Sequence, residues 1–391
     1  MSTLSDIAAE HQRRRTVTTD KATVRALRQF RQIDPAFLDA GWDRVSSAMV
    51  DTVSAAQVAA ARQAGPYLDR VAAASGGAPE RAQLVSEAFG GVMLDGREVG
   101  PAMFSAVTTT KTLVGRGMPA ARAFEVGASF LAVIVGAAVQ DLGRQADETI
   151  ATGRGYTRYI RVVSAGACSR CAILAGGAEY RAPFERHPRC KCTSLAVTDG
   201  EGTPAGFYET PSAYFDSLSP AEQDRIFTRG GAEAIRSGAD PIRVVNARRG
   251  ADGISTSRGI GRNTTANSGR RIHRQQIGVK PDGTPVMGVT TSDGTYRGGF
   301  RSTQNQIGVG SHRIDGNRYS ATKRTRLMPE TIMELADDLP TRQLLLRDAG
   351  YLEFPVGDTS TNAWVAKRLE SQIADRAAAD AFYRKLGVSL G

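Results

Sequence analysis

Phe124-Glu-Val-Gly-Ala-Ser-Phe-Leu-Ala-Val-Ile-Val-Gly-Ala-Ala-Val-Gln-Asp141 holds the most apolar run of the chain, Ala128 to Val139. Phe124, Ala128, Leu131 and Val135 recur at helical spacing, so the passage reads as a helix with one core-facing stripe. The run falls short of the roughly 20 residues a bilayer demands. Glu125 and Asp141 also flank it closely, which points to a helix buried in protein. Outward from this passage, Ser5 to Gly153 is rich in Ala, Arg, Gln, Glu and Leu, with Pro and Gly between the helical stretches. Val45, Met49, Val53 and Ala56 repeat the same spacing. Asp34 followed by Pro35 reads as an N-cap with proline at the first helical position, and Pro79, Pro101 and Pro119 can open further helices. The expectation is an N-terminal helical domain over residues 1–153.

After Gly153 the pattern changes. Tyr156 to Val163 alternates aromatic or β-branched residues with Arg, Thr and Ser, as a short strand does. Ser219, Pro220 and Glu222 form a capping box ahead of a helix ending near Gly230, and a second short helix ends near Gly238. From Ala247 to Ser320 no period holds for long. Asp before Gly283, Gly294 and Gly316 marks turns, and Gln276-Ile-Gly-Val279 recurs as Gln306-Ile-Gly-Val309. Helices return at Pro329 to Ala336, Pro340 to Asp348 and Asn362 to Leu386. The fold class is α+β and predominantly helical. Its expected parts are the helical domain 1–153, a small metal-stabilised α+β domain 154–246, a basic Gly-rich flexible or extended segment 247–325, and a C-terminal helical region 326–391.

The formal charge is +10, but its location is more informative than its sum. Between Arg243 and Arg326 there are 16 Arg and Lys against 4 acids, so this window carries +12 and the rest of the chain is close to neutral. A neutral folded body with one basic segment suits an acidic partner reached by that segment. The first thirty residues alternate charge with apolar positions and lack the uninterrupted apolar core of a signal peptide, so export by that route is not expected.

All 4 cysteines fall between Cys168 and Cys192, in the pattern C-x2-C-x15-H-x2-C-x-C formed by Cys168, Cys171, His187, Cys190 and Cys192. Zinc takes four tetrahedral ligands, and a C-x2-C turn sets two sulfurs at the right separation. Such clustering suits a structural zinc in a reducing compartment better than a dispersed disulfide framework. Five candidates compete for four places, so one of His187, Cys190 and Cys192 is spare. Cys168, Cys171 and Cys190 are the favoured thiolates, with His187 as the fourth ligand. A catalytic zinc would keep a place for water and a nearby base, and neither Glu179 nor Glu185 sits in a motif that marks it as one.

The C-x2-C turn, the Ala172-Ile-Leu-Ala-Gly176 that follows it, and the closing His187-Pro-Arg-Cys-Lys-Cys192 resemble the core motif of MuF-like phage minor head proteins. Val244-Val-Asn-Ala-Arg-Arg-Gly250 and Arg326-Leu-Met-Pro-Glu330 resemble signatures of the actinobacteriophage branch of that family. The resemblance implies a minor capsid protein made in the bacterial host cytoplasm and carried in the interior of the procapsid or virion head. Its implied partners are the phage portal, scaffold and coat proteins and the packaged DNA, with no membrane. Proteins of this branch often bear the label capsid maturation protease.

The residues give that label little support. A serine or cysteine protease needs a nucleophile beside an oriented base. Only 4 histidines exist: His11 reads as a solvated residue of a polar helix start, His187 as a metal ligand, and His273 and His312 as members of the basic segment. No Gly-x-Ser-x-Gly or HExxH motif occurs. No catalytic residue is assigned, and the assembly role leads over the protease. A cytosolic zinc-containing nucleic-acid regulator is a third reading, weakened by a cysteine spacing unlike that of C2H2 fingers. The expected DNA-contacting residues are Arg248, Arg249, Arg258, Arg262, Arg270, Arg271 and Arg274, acting on phosphates without sequence preference.

Overall fold

The computed structural model describes residues 3–76, 82–163, 167–176, 179–180, 192–198, 203–248, 272–297, 312–313, 319–352 and 362–388. The described residues are predominantly helical, at 64%, with small antiparallel sheets, which makes the fold α+β. It divides into two compact units. The first comprises residues 1–167 and 175–209, and the second residues 168–174 and 210–391. The segment 154–246, expected as one domain, is shared between them.

The first unit is built on five α-helices: α1 (Leu4–Phe30), α2 (Leu38–Ala61), α3 (Ala64–Ala74), α4 (Val99–Gly115) and α5 (Ala120–Gly153). Helix α1 opens on a capping box in which the Thr3 hydroxyl accepts from the Asp6 amide while the Asp6 carboxylate accepts from the Thr3 amide. Asp34 does not cap α2. Its carboxylate accepts the Ala36 amide at 2.9 Å, so Asp34 and Pro35 make a tight turn and the helix starts at Leu38. Pro101 lies in the first turn of α4 and Pro119 is the N-cap of α5, while Pro79 lies outside the described residues.

Phe124, Ala128, Leu131 and Val135 of α5 are all buried, in one core with Phe30 of α1, Met49 and Val53 of α2, and Met103 of α4. The helix runs well past the apolar passage, to 34 residues. By length and composition it could cross a membrane, and 56% of its most apolar window is buried inside the protein. A second core joins the other end of the bundle to a three-stranded antiparallel sheet of β1 (Arg158–Val162), β2 (Glu179–Tyr180) and β3 (Thr193–Val197), ordered β2-β1-β3. Ile160, Val162, Leu195 and Val197 pack there against Ile7, Leu68 and Ile150.

Helices α4 and α5 touch closely at Gly127. A Cβ there would run into the Thr110 hydroxyl and lie 2.8 Å from the Ala106 carbonyl oxygen. Gly136 of the same helix has open space around its Cβ position. Gly127→Val is therefore expected to cost about 1–3 kcal/mol through overpacking, whereas Gly136→Ala should leave stability unchanged or raise it slightly. Urea unfolding followed by circular dichroism reads both. Equal effects at the two glycines would contradict the close approach.

The second unit contains α6 (Ser169–Ala172), α7 (Pro211–Asp216), α8 (Pro220–Phe227), α9 (Arg229–Arg236) and α10 (Pro241–Ala247). Strands β4 (Ile272–Val279), β5 (Pro285–Arg297), β6 (His312–Arg313) and β7 (Tyr319–Leu327) follow, then α11 (Pro329–Leu335), α12 (Leu339–Asp348) and α13 (Asn362–Lys385). The capping box of Ser219 and Glu222 forms as the sequence suggests. The chain then turns sharply at Thr228, whose φ of 67° is the only positive value among the described non-glycine residues, and α9 begins at once. The sheet order is β4-β5-β7-β6, all antiparallel. Extended chain thus occupies most of the described part of the Gly-rich stretch; residues 249–271, 298–311 and 314–318 of it, including the second Gln-Ile-Gly-Val copy, lie outside the described residues.

Candidate functional site

The buried face of α1 carries, between Ala8 and Ala22, the polar residues His11, Gln12, Arg15 and Thr19. They belong to the same stripe as its apolar residues, so the helix delivers a line of polar groups into the interior of the first unit. Opposite them α5 places Asp147, only 2% exposed, and α3 places Tyr67. His11 Nε2 lies 3.0 and 3.1 Å from the two Asp147 oxygens. Arg15, with no exposed surface, donates to the same carboxylate. The imidazole stacks flat on the Tyr67 ring, with centroids 3.9 Å apart and planes within 2°.

This arrangement corrects the reading of His11 as a solvated residue. It is 3% exposed, because the i, i+4 spacing of His11 and Arg15 coincides with the core stripe set by Ile7, Ala8 and Ala22. Burial pulls the imidazole below its ordinary value of 6.5; the attraction of Asp147 opposes this, and the Arg15 charge reinforces it. His11 is therefore neutral at pH 7. Nε2 faces both the Asp147 carboxylate, which can only accept, and the Arg15 guanidinium, which can only donate, so the ring is held between the two. Burial alone would raise Asp147. The Arg15 charge, the attraction of His11 and the hydrogen bonds with both residues outweigh it and hold the carboxyl below the ordinary carboxylate value. Burial also pushes the Tyr67 hydroxyl well above its usual range, which keeps it a donor.

What the cluster holds is β3. Tyr67 donates its hydroxyl to the Ser194 carbonyl at 2.9 Å, and Arg15 reaches the Thr193 hydroxyl at 3.4 Å. Arg144 of α5, buried and paired with Asp141 at 3.1 Å, donates Nε to the Cys192 carbonyl at 2.8 Å. Three helices thus each direct a buried polar side chain onto consecutive residues 192–194. Backbone groups of a short strand are satisfied in this way where no neighbouring strand or water reaches them.

The expected metal ligands fall in different places. Cys168 and Cys171 lie in the second unit, where Cys168 is the N-cap of α6 and the Cys171 amide donates to the Cys168 carbonyl at 2.9 Å. Arg170 sits between them; burial lowers its pKa, while attraction to the two sulfurs works the other way. A closed C-x2-C turn beside a guanidinium is chemistry that suits thiolates, and thiolates are what zinc takes. Cys192 is in the first unit, fully buried. His187 and Cys190 lie outside the described residues, and among the described residues no three metal-ligating side chains come together.

Of the expected DNA contacts, Arg249, Arg258, Arg262, Arg270 and Arg271 lie outside the described residues. Arg274 is exposed on β4. Arg248 is 7% exposed and forms an ion pair with Glu330, so it faces the interior of the second unit and is poorly placed to meet phosphate. The pairing brings together the two stretches singled out by resemblance, Val244–Gly250 and Arg326–Glu330. Arg248 also donates to the Thr228 hydroxyl at 2.8 Å, beside the strained backbone there. Burial lowers the Arg248 pKa to about 10. Glycine is required next door, since a Cβ at Gly230 would lie 2.9 Å from the Glu330 Cα. Comparison with protein-family models, with curated proteins and with solved structures gave no match for the chain.

Proposed function

We propose that the chain is a minor head protein of a tailed phage, of the MuF-like kind. In this reading it acts in procapsid assembly and head morphogenesis beside the portal, with scaffold and coat proteins as further partners, and touches DNA through its basic segment without sequence preference. It works in the host cytoplasm during assembly and then inside the head.

The observation that favours an assembly role over proteolysis is the use made of the His11–Asp147 pair. A general base must reach a nucleophile and a substrate. Here the imidazole is enclosed, stacked on Tyr67, and occupied by Asp147 and Arg15, with its neighbours directed at β3. The arrangement suits a tie between the helices and the strand that leaves the Cys/His motif. Mixing the purified chain with the portal, scaffold and coat proteins of the same phage tests the reading. Association with the portal and uncut partners are expected. Cleaved scaffold or coat would replace it with the maturation protease, and the absence of both association and cleavage would overturn it.

The motif's donor set also supports one structural zinc, with ligands drawn from Cys168, Cys171, His187, Cys190 and Cys192. Zinc there would supply folding energy directly, without taking part in a reaction. Elemental analysis of protein purified under reducing conditions should give about one zinc per chain, and Cys171→Ser should abolish it. Metal-free protein that melts unchanged would sink the zinc assignment.

A further inference from the structure

Five cations of the basic window have described side chains: Arg243, Arg248, Arg274, Lys280 and Arg326. Three of them are inside the second unit. Arg243 donates to the Gly350 carbonyl, Arg248 pairs with Glu330, and Arg326 donates to the Ala349 carbonyl and lies over the Tyr351 ring. Arg274 and Lys280 are the two that face solvent, and both belong to the hairpin of β4 and β5.

The hairpin has one anchored face and one open face. Register pairs Gln275 with Gly288, and Ile277, 2% exposed, closes over Gly288 on that side. On the other side, Arg274 stands opposite Val289, Gln276 opposite Met287, and Val279 opposite Pro285. Arg274, Gln276, Met287, Val279 and Pro285 are exposed. Lys280 begins the turn, closed by its amide donating to the Thr284 carbonyl at 2.8 Å and by Gly283 at a φ of 85°. The outer edge of β4 is covered at Gly278 and Val279 by the chain end, where the Val279 amide donates to the Gly387 carbonyl at 2.9 Å, so it is the face of the hairpin and not its edge that is open.

We propose that this open hairpin face is a duplex-DNA contact, a two-stranded ribbon laid in a groove with Arg274 and Lys280 on phosphates and Gln276 between them. The proposal rests on the DNA contact in the functional reading above and gives it a place. The major groove admits a two-stranded ribbon, and cations spaced along one provide register on the backbone without reading bases. The single acid on the described turn is Asp282, whose carboxylate accepts the Thr284 amide at 2.9 Å. It lies where a phosphate would be repelled, so its neutralisation should act in the direction opposite to loss of the cations.

The test uses the full chain and a short mixed-sequence DNA duplex, with affinity measured by fluorescence anisotropy across a salt series. Arg274→Ala with Lys280→Ala should weaken binding roughly tenfold at low salt and flatten the log affinity against log salt slope by about 2, at nearly one unit per phosphate contact. Asp282→Asn keeps the turn acceptor and should tighten binding. Unchanged circular dichroism guards against misfolding, since all three positions are exposed. Wild-type chain that binds no duplex would overturn both the ribbon and the DNA contact of the functional reading. Wild-type binding with an unaltered double variant would overturn the ribbon alone, as would a double variant that loses portal association while keeping its affinity for DNA.

Discussion

Asp147→Ala is expected to destabilise the first unit by about 3–5 kcal/mol, the usual penalty for breaking a buried ion pair by removing one partner. The cost is large because Arg15, with no exposed surface, keeps its charge and retains only neutral neighbours, the His11 ring nitrogen and the Thr193 hydroxyl at 3.4 Å. Asp147→Asn preserves an acceptor without the charge and should fall between the two. Glu87→Ala, at the solvent-exposed pair with Arg62, is the matched control and should change nothing measurable. Urea denaturation at pH 7 compares the four proteins, and an Asp147→Ala loss no greater than that of the control would remove the cluster's structural role.

The same residues set a pH dependence of one sign. His11 has a folded pKa below its ordinary 6.5, so its contribution is complete above pH 6.5 and is lost as pH falls from there toward the lowered value. Asp147 is likewise depressed, so its contribution is complete above its ordinary 3.8 and is lost at still lower pH. Stability of the wild-type chain should therefore decline on acidification in two stages. Asp147→Ala should lack the second stage. A wild-type profile that rises between pH 7 and 5 would contradict a neutral buried His11.

Glu330→Ala is expected to have the larger effect in the second unit, about 3 kcal/mol, because Arg248 is left charged in surroundings that already lower its pKa to about 10. Glu330 is more open than Asp147, which keeps the expectation at the lower end of the range. A double-mutant cycle with Arg248→Ala isolates the pair. Removing both should cost less than the two single losses added, since the second deletion no longer strands a partner. Additive losses would mean that the carboxylate serves the N-terminus of α9 through Thr228 and does not act mainly through the guanidinium.

Helical patterning was legible because burial in a bundle follows the 3.6-residue period: the stripe of Phe124, Ala128, Leu131 and Val135 is buried as expected. The capping box at Ser219 was legible for an equally local reason. His11 was misread because a polar side chain on an apolar stripe looks solvated until its partner is known, and Asp147 stands 136 residues away. The burial of Arg248 was hidden for the same reason, its acceptor being 82 residues on. Local spacing reveals which face of an element turns inward. It does not reveal which distant charge waits there.

The tie between the helices and β3 spans the chain from Arg15 to Thr193, a separation of 178 residues. A nascent chain emerging at about 5–20 residues per second cannot complete it for roughly 9–36 s after Arg15 has been made. For most of that interval, until Asp147 is made 132 residues after Arg15, α1 presents His11 and Arg15 without their acid partner, and the strand follows later still. Closure of so distant a contact raises contact order and slows folding. The first unit consequently reaches its native packing only after residues 192–194 have left the ribosome, and a chain interrupted before Cys192 would leave Arg15, Tyr67 and Arg144 without the strand they hold.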